Sequence, residues 1–293
     1  MRIRRGLATG VVALATVVAL GGCSLLGTDG DLTDDWAAIS APKGFVPERA
    51  CHGKSHFGPA TVKEFAPVDC TTKHEAETLF VGEFSGSAAS GSSVPKTDDD
   101  AVASAYDQCE EEVNKVLGYD WRDLRVDLRL VTPSSEAWKG GARWFACDVV
   151  ELEDLEDAEE KSIQVGIQDR LKELPLGCFT ATESGGELTM KEVDCSTSHN
   201  SEYVGSFTPA ANVVYPNTEA QWDVLHEGCD KAAAEYLGVS ASEFDKRYSE
   251  IAWATSKKYW EAGNNGVRCF LWLGKAKMTG TAKGKGTAVP KWA

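Results

Sequence analysis

The sequence lacks the short motifs that mark the common hydrolases and nucleotide-binding enzymes. It has no Gly-x-Ser-x-Gly nucleophile turn, no His-Glu-x-x-His zinc motif and no phosphate-binding loop. It has no Cys-x-x-Cys pair either, so a structural zinc site is not expected. Basic residues are scarce, with 30 lysines and arginines against 45 acidic residues and a formal net charge of −15. Because phosphate backbones repel such a chain, nucleic acids are not expected as partners.

Long apolar runs are missing after the first 22 residues, and no later stretch reaches the ~18 uncharged residues of a membrane-spanning helix. The chain begins with Met-Arg-Ile-Arg-Arg, and an uncharged run of 15 residues extends from Gly6 to Leu20. Two glycines then precede Cys23. This order resembles the lipobox of bacterial lipoproteins, and an ordinary secretory signal with an incidental cysteine is the alternative. The resemblance implies cleavage before Cys23, lipid attachment to its sulfur and a position on the extracytoplasmic face of the cell membrane.

Nine cysteines are an odd number, and lipid attachment accounts for one of them. The other eight fall into two groups of four, with intervals of 19, 39 and 38 residues in the first group and 17, 34 and 40 in the second. The groups are Cys51, Cys70, Cys109 and Cys147, followed by Cys178, Cys195, Cys229 and Cys269. This spacing predicts two copies of one unit.

Other residues repeat together with the cysteines. Each copy has a Val-Asp-Cys sequence followed four residues later by a histidine, His74 or His199. Each copy also has a Trp-x-x-Gly sequence nine residues before its last cysteine, at Trp138 and Trp260. The predicted organisation is a signal peptide at 1–22, a tether at 23–43, a first copy at 44–150, an acidic linker at 151–174, a second copy at 175–285 and a tail at 286–293.

The predicted fold class is α+β, with two repeated small domains. Each domain is expected to be an antiparallel sheet with a packed helix and two disulfide bonds. Apolar residues at helical spacing predict long helices over Asp98 to Leu117 and over Thr218 to Leu237. A further helix is expected over about Ser242 to Ala254, and a buried strand over Val267 to Leu273.

The disulfide pairing follows from the predicted hairpins. Cys178 and Cys195 lie almost symmetrically about a Gly-Gly turn, so a hairpin could bring them opposite each other. Four cysteines allow three pairings in each copy, and the other pairings stay open. The favoured pairs are Cys178–Cys195, Cys229–Cys269, Cys51–Cys70 and Cys109–Cys147. Disulfide bonds are consistent with export to an oxidising compartment.

The order of these motifs resembles the septum-formation-related domain of actinobacterial secreted and lipid-anchored proteins, which often occurs in paired copies. The resemblance rests on Gly177-Cys178-Phe179, on Val-Asp-Cys-x-x-x-His, on a helix with a cysteine followed by Leu-Gly, and on Trp-x-x-Gly before a final cysteine. The first copy departs from it, with Cys51-His52-Gly53 in place of Gly-Cys-Phe. The resemblance implies a role in division-septum or cell-envelope processes and supplies no catalytic residues.

The five histidines are the main candidates for chemistry. Only His74 and His199 recur at matching positions, each followed within three residues by a glutamate. A histidine beside a carboxylate can act as a general base, and it can also orient a turn by hydrogen bonding. His52 and His56 lie four residues apart and could bind a metal, but they have no matching pair in the second copy and no obvious third ligand.

The Trp-x-x-Gly sequences are the candidates for recognition. Trp138 and Trp260 could stack on glycan rings or on a protein partner, and they could equally cap the hydrophobic core of each copy. The expected function is a non-catalytic, lipid-anchored binding module of the cell envelope, without cofactor or metal. Its expected partners are the membrane, through the lipid, and an envelope protein or cell-wall polymer. The alternative is an envelope hydrolase or metal-dependent enzyme that uses His74 or His199.

Overall fold

The computed structural model describes residues 48–155, 160–185, 187–211 and 213–293. Within these ranges the chain forms eleven β-strands and six α-helices, which confirms the α+β class. None of the helices in the described residues is long and apolar enough to cross a membrane. The predicted lipidation site Cys23, the signal peptide and the tether lie outside the described residues.

The first sheet has six strands in the order β2-β5-β6-β4-β1-β3. The strands are β1 Cys51–His52, β2 Gly58–Ala60, β3 Pro67–Val68, β4 Ala76–Glu83, β5 Val126–Pro133 and β6 Trp144–Glu151. All neighbours pair antiparallel except β2 and β5, which run parallel. Every residue of β5 and β6 is buried. The helices of this half are α1 Gly86–Ser90, α2 Asp100–Leu117 and α3 Ser135–Lys139.

The second sheet has five antiparallel strands in the order β10-β11-β9-β7-β8. The strands are β7 Cys178–Ser184, β8 Glu187–Val193, β9 Ser201–Phe207, β10 Ser249–Ala254 and β11 Val267–Trp272. The helices of this half are α4 Glu219–Leu237, α5 Ala241–Asp245 and α6 Lys257–Glu261. Without β2, the strand order of the first sheet matches that of the second, strand for strand.

The long helices α2 and α4 have the predicted bounds to within two residues. Helix α2 buries residues three or four positions apart, from Val102 through Cys109 to Leu117, so one face packs on the sheet. Gly118 and Gly238 end the two helices with φ of 74° and 75°, a left-handed conformation that glycine adopts without a Cβ clash.

The helix expected over about Ser242 to Ala254 is wrong in its second part. Only Ala241–Asp245 is helical, and the chain then forms strand β10. Six consecutive residues of β10 pair with β11, from Ser249 opposite Trp272 to Ala254 opposite Val267. Pairing with a neighbouring strand therefore outweighs the local preference for helix.

The eight cysteines of the described residues form four disulfide bonds, and the bonds join the pairs that the hairpins favoured. They are Cys51–Cys70, Cys109–Cys147, Cys178–Cys195 and Cys229–Cys269, with Cα–Cα distances of 5.2, 5.4, 5.1 and 5.1 Å. The third closes the hairpin of β7 and β8, and the first joins β1 to the turn after its antiparallel neighbour β3. The second and fourth join a long helix to the last strand of its half. On chain-entropy grounds each bond contributes about 3–4 kcal/mol.

The two halves, residues 48–176 and 177–293, share one core between their sheets. Leu152 and Leu155 of the first half pack in one cluster with Phe179 and Phe270 of the second. Arg268 adds a polar link, because its guanidinium donates to three backbone carbonyls of the first half. The described residues from 48 onwards therefore form a single compact unit.

Candidate functional site

A turn after each hairpin positions the recurring histidines. In the first half, Asp69 accepts a hydrogen bond from the amide of Thr71 at 2.9 Å, and His74 Nδ1 lies 2.8 Å from the carbonyl of Thr72. The backbone and side-chain donors of Thr71 lower the pKa of Asp69 below its usual value. This short polar turn holds the imidazole against the end of the hairpin.

The turn of the second half is built in the same way. Asp194 accepts a hydrogen bond from the amide of Ser196 at 2.7 Å, and His199 Nδ1 lies 2.8 Å from the carbonyl of Thr197. The side-chain and backbone donors of Ser196 lower the pKa of Asp194. Since a carbonyl only accepts, Nδ1 carries a proton in both rings.

Each histidine also pairs through its backbone with a segment that follows the last strand of its half. His74 exchanges two backbone hydrogen bonds with Ile163, of 2.9 and 2.8 Å. His199 does so with Met278, at 3.0 and 2.9 Å. In both halves the chain thus leaves the sheet and returns to the turn.

A glutamate fastens each returning segment four residues later. Glu77 accepts a hydrogen bond from the amide of Ile167 at 2.8 Å, and Glu202 accepts one from the amide of Ala282 at 2.6 Å. We name these sets the first clasp (His74, Glu77, Ile163 and Ile167) and the second clasp (His199, Glu202, Met278 and Ala282). The spacing from bridge to carboxylate contact is the same in both.

The two clasps differ in what completes the carboxylate. Glu77 lies 3.2 Å from His74 Nε2. Glu202 instead accepts hydrogen bonds from the hydroxyl of Tyr236, at 2.6 Å, and from that of Thr281. Within the described residues, Nε2 of His199 is buried without a hydrogen-bond partner.

The clasps bring together donor types that metals bind, but in a form that limits their chemistry. In each half a cysteine sulfur, an imidazole nitrogen and a carboxylate oxygen lie within 4.8 Å of one another. The residues are Cys51, His74 and Glu77 in the first half, and Cys178, His199 and Glu202 in the second. Both cysteines are in disulfide bonds, so neither supplies a thiolate. The exposed fractions of His74 and His199 are 0% and 1%. A general base must reach the proton that it removes, and these rings contact protein on all sides.

Trp138 and Trp260 also lie inside the protein, with exposed fractions of 1% and 6%. The indole of Trp138 donates to the carbonyl of Gly91 at 2.9 Å, and Arg143 stacks on its ring at 4.1 Å. Trp260 packs edge-on against Tyr215. Both rings therefore close the cores of their halves and present no face for stacking on a ligand.

The first half contains a buried polar chain that the sequence did not indicate, which we name the polar relay (His52, Thr78 and Asp148). His52 Nε2 lies 2.8 Å from Thr78 Oγ1, and that hydroxyl donates to Asp148 at 2.6 Å. Burial lowers the pKa of His52 to about 4 and raises the pKa of Asp148 to about 7. His56 takes no part in the relay and contacts the carbonyl of Glu64 at 2.9 Å.

A cleft of about 310 Å³ opens between the two halves, and we name it the interhalf cleft. Its floor is formed by Trp121 and Arg122 of the first half and Arg268 of the second. The two guanidinium carbons lie 4.5 and 5.2 Å from the centre of the Trp121 ring. The lack of a side chain at Gly266 leaves room for Arg122, because a Cβ on Gly266 would lie 2.0 Å from Nε of the arginine.

Two carboxylates neutralise part of the charge around the interhalf cleft. Arg122 forms a two-pronged ion pair with Glu110, at 2.6 and 2.8 Å. Asp127 pairs with Arg129. Arg268 forms no ion pair with any carboxylate of the described residues, and burial lowers the pKa of its guanidinium. No sequence motif marks this site, because its residues come from widely separated segments.

The septum formation family matches residues 50–269 of the chain, which is more than half of its length. This match confirms the resemblance that the repeated motifs indicated. No curated protein and no solved structure matches the chain. With its paired cysteine and histidine motifs included in the matched range, the chain belongs to the septum formation family.

Proposed function

We propose that the protein is a lipid-anchored, non-catalytic binding protein on the extracytoplasmic face of the cell membrane, acting in septum formation or a related envelope process. Membership of the septum formation family supports the septal role. The basic start, the 15-residue apolar run and Cys23 support the anchor. The four disulfide bonds favour an oxidising compartment outside the cytoplasm.

The observation that carries the non-catalytic part is the burial of the two clasp histidines. His74 and His199 are the repeated candidates for acid–base chemistry, and both hold returning segments of the chain. Their Nδ1 atoms bind backbone carbonyls, and the neighbouring carboxylates accept backbone amides. A structural role accounts for each of these contacts.

We also propose that the two halves are copies of one domain. The shared strand order, the four disulfide positions and the two clasps all support duplication. The common core between the sheets indicates that the copies act as one body rather than as independent modules.

Anchoring and septal action are tested with a fluorescently tagged full-length chain in a deletion strain. We expect the wild-type protein in the membrane fraction and enriched at division septa. Cys23→Ala removes the lipidated sulfur and should move the protein to the soluble exported fraction. Membrane retention of this variant, or uniform distribution of the wild-type protein with normal septa in the deletion strain, would contradict the proposal.

The non-catalytic role is tested with the double variant His74→Asn, His199→Asn. Asparagine keeps an N–H near the position of Nδ1, so the turns can still form, but it cannot transfer protons as imidazole does. We expect this variant to restore division as well as His56→Asn, a matched control outside both clasps. Thermal unfolding establishes that the variants are folded, and a folded double variant without function would indicate chemistry at the clasps.

A further inference from the structure

The floor of the interhalf cleft is rich in hydrogen-bond donors and positive charge. Arg268 uses Nε and Nη2 to bind the carbonyls of Arg122, Leu124 and Val126, at 2.7 to 3.2 Å. The Nη1 group of Arg268 takes part in none of these three hydrogen bonds. The indole N–H of Trp121 is also buried without a partner among the described residues. These groups favour an acceptor that carries negative charge.

Among the described side chains that line the cleft, Arg122 and Arg268 are cations and Asp127 is an anion, so the lining carries one more cation than anions. Arg122 pairs with Glu110 and with Asp120, and Asp127 pairs with Arg129, which also pairs with Glu160. Arg268 has no such carboxylate, although it is buried. An unpaired buried cation is costly, and a bound oxyanion would offset that cost.

The rim of the cleft consists of aromatic rings and small polar groups. Trp253 lies directly opposite Arg268 in the ladder between β10 and β11, so both side chains are on the same face of the sheet. Tyr215 and Tyr259 line the cleft as well, and all three rings are half-buried. The polar groups of the lining are Thr255, Ser256 and Asn264.

We propose that the interhalf cleft binds an anionic sugar, with the oxyanion beside Arg268 and the sugar ring against Trp253. Half-buried aromatic rings offer flat apolar surface to a sugar ring, and neighbouring hydroxyl and amide groups can bind its hydroxyls. The volume of about 310 Å³ is at the lower end of the roughly 300–1,000 Å³ that is usual for ligand sites, and it suits one or two rings. This inference deepens the proposed binding function and rests on it.

The oxyanion could be a carboxylate or a phosphate on a cell-wall sugar, and three soluble probes separate these sources. The full chain, purified from membranes in detergent, is titrated by calorimetry with N-acetylmuramic acid, glucose 1-phosphate and N-acetylglucosamine. We expect at least one anionic probe to bind about tenfold more tightly than the neutral sugar, a preference that weakens as salt is raised. The preferred anionic probe identifies the carboxylate or the phosphate as the natural group.

Variants of two tryptophans locate the binding site. Trp253→Ala should weaken the preferred anionic probe about tenfold, and Trp253→Phe, which keeps an aromatic ring, should retain most of the affinity. Trp292→Ala is the matched control, because Trp292 is half exposed in a separate cleft with Trp272 and Lys275. Circular dichroism confirms that each variant is folded.

Three outcomes would overturn the inference. They are no binding of either anionic probe, equal binding of the neutral sugar, and a loss caused by Trp292→Ala but not by Trp253→Ala. If binding fails while the tagged protein still gathers at septa in the membrane, the cleft assignment is wrong and the proposed function stands. If binding succeeds but the protein is neither membrane-bound nor septal, the proposed function is wrong and the cleft is still a sugar site.

Discussion

Cys51, Glu77 and Cys147 of the first half match Cys178, Glu202 and Cys269 of the second. The residue directly after each of them is polar in the first half and aromatic in the second. In the first half these residues form the polar relay of His52, Thr78 and Asp148. In the second half Phe179, Tyr203 and Phe270 occupy the matching positions, with ring centres 5.3 and 5.4 Å apart in two edge-on pairs. One sheet framework thus accommodates both kinds of interior.

The difference divides two tasks between the halves. The aromatic rings of the second half belong to the core that both halves share, so they hold the halves together. The polar relay belongs to the first half alone and brings a titratable carboxyl into its interior. The first half should therefore respond to pH through Asp148, whereas the matching position of the second half is Phe270.

The largest expected effect concerns the helix-to-strand disulfides, which the two halves have in common. The Cys109–Cys147 and Cys229–Cys269 bonds close loops of 38 and 40 residues. Replacing either pair by alanines should cost about 4 kcal/mol, because nearly equal loops constrain the unfolded chain equally. Urea denaturation measures both. A difference of more than about 2 kcal/mol between the two variants would mean that the halves are not energetically equivalent.

The next prediction separates the halves through Asp148. Its folded pKa is about 7 and the usual value is 3.8, so the folded state holds the proton more tightly and loses stability as pH rises between these values. Asp148→Asn removes this loss and should stabilise the protein by roughly 4 kcal/mol at pH 8, with little gain at pH 4. Urea denaturation of the wild-type protein and the variant from pH 4 to 8 measures the difference.

His52 gives this experiment an internal check. Its folded pKa of about 4 lies below the usual 6.5, so its contribution to stability rises with pH across that interval. In the wild-type protein the stability contribution of Asp148 falls with pH while that of His52 rises. In Asp148→Asn only the rise in stability due to His52 should remain. Parallel pH profiles for the wild-type protein and the variant would show that Asp148 does not titrate in the predicted range.

A smaller effect should distinguish the clasps. Glu202 accepts hydrogen bonds from Tyr236, Thr281 and an amide, whereas Glu77 has one amide and His74. Glu202→Gln should cost about 2 kcal/mol and Glu77→Gln about 1 kcal/mol, since hydrogen bonds to a charged group are the stronger ones. Hydrogen exchange should show faster opening at Ala282 and Ile167, respectively. The reverse order of the two costs would show that the histidine contact outweighs the two hydroxyls.

The smallest expected effect concerns the capping contact at the start of α4. The Gln221 side chain accepts hydrogen bonds from the amides of Asn217 and Thr218, at 2.8 and 3.1 Å, at the N-terminus of α4. Gln221→Ala should cost about 0.5–1 kcal/mol of stability in thermal unfolding. Gln108→Ala, at an exposed position within α2, is the matched control and should change stability very little. Equal losses in both variants would leave the capping contact without a measurable role.

Features set by local periodicity could be predicted from the sequence. Helices α2 and α4, the last strand of the second half and the favoured disulfide pairs all depend on spacing within one segment or on hairpin symmetry. The spacing also identified His74 and His199 as matching residues. It did not reveal that both are enclosed, because the contacting residues Ile163 and Met278 lie about 80 to 90 positions further along the chain.

Features that depend on distant pairing could not be predicted in this way. Strand β10 exists because β11 lies beside it, and local composition favoured a helix there instead. Trp138 and Trp260 illustrate a related limit, since Trp-x-x-Gly describes a turn equally well whether the ring faces solvent or the core. The interhalf cleft requires both sheets to be in place before Trp121 and Arg268 meet.

The returning segments let the two halves complete their clasps at different times while the chain is synthesised. The first clasp is complete once Ile167 has emerged, and nothing beyond that residue is needed to fasten it. The second clasp waits for Ala282, and the core of that half also takes in Val289, close to residue 293. Because domains fold as the chain is delivered, the first half can offer a surface onto which the second half closes later.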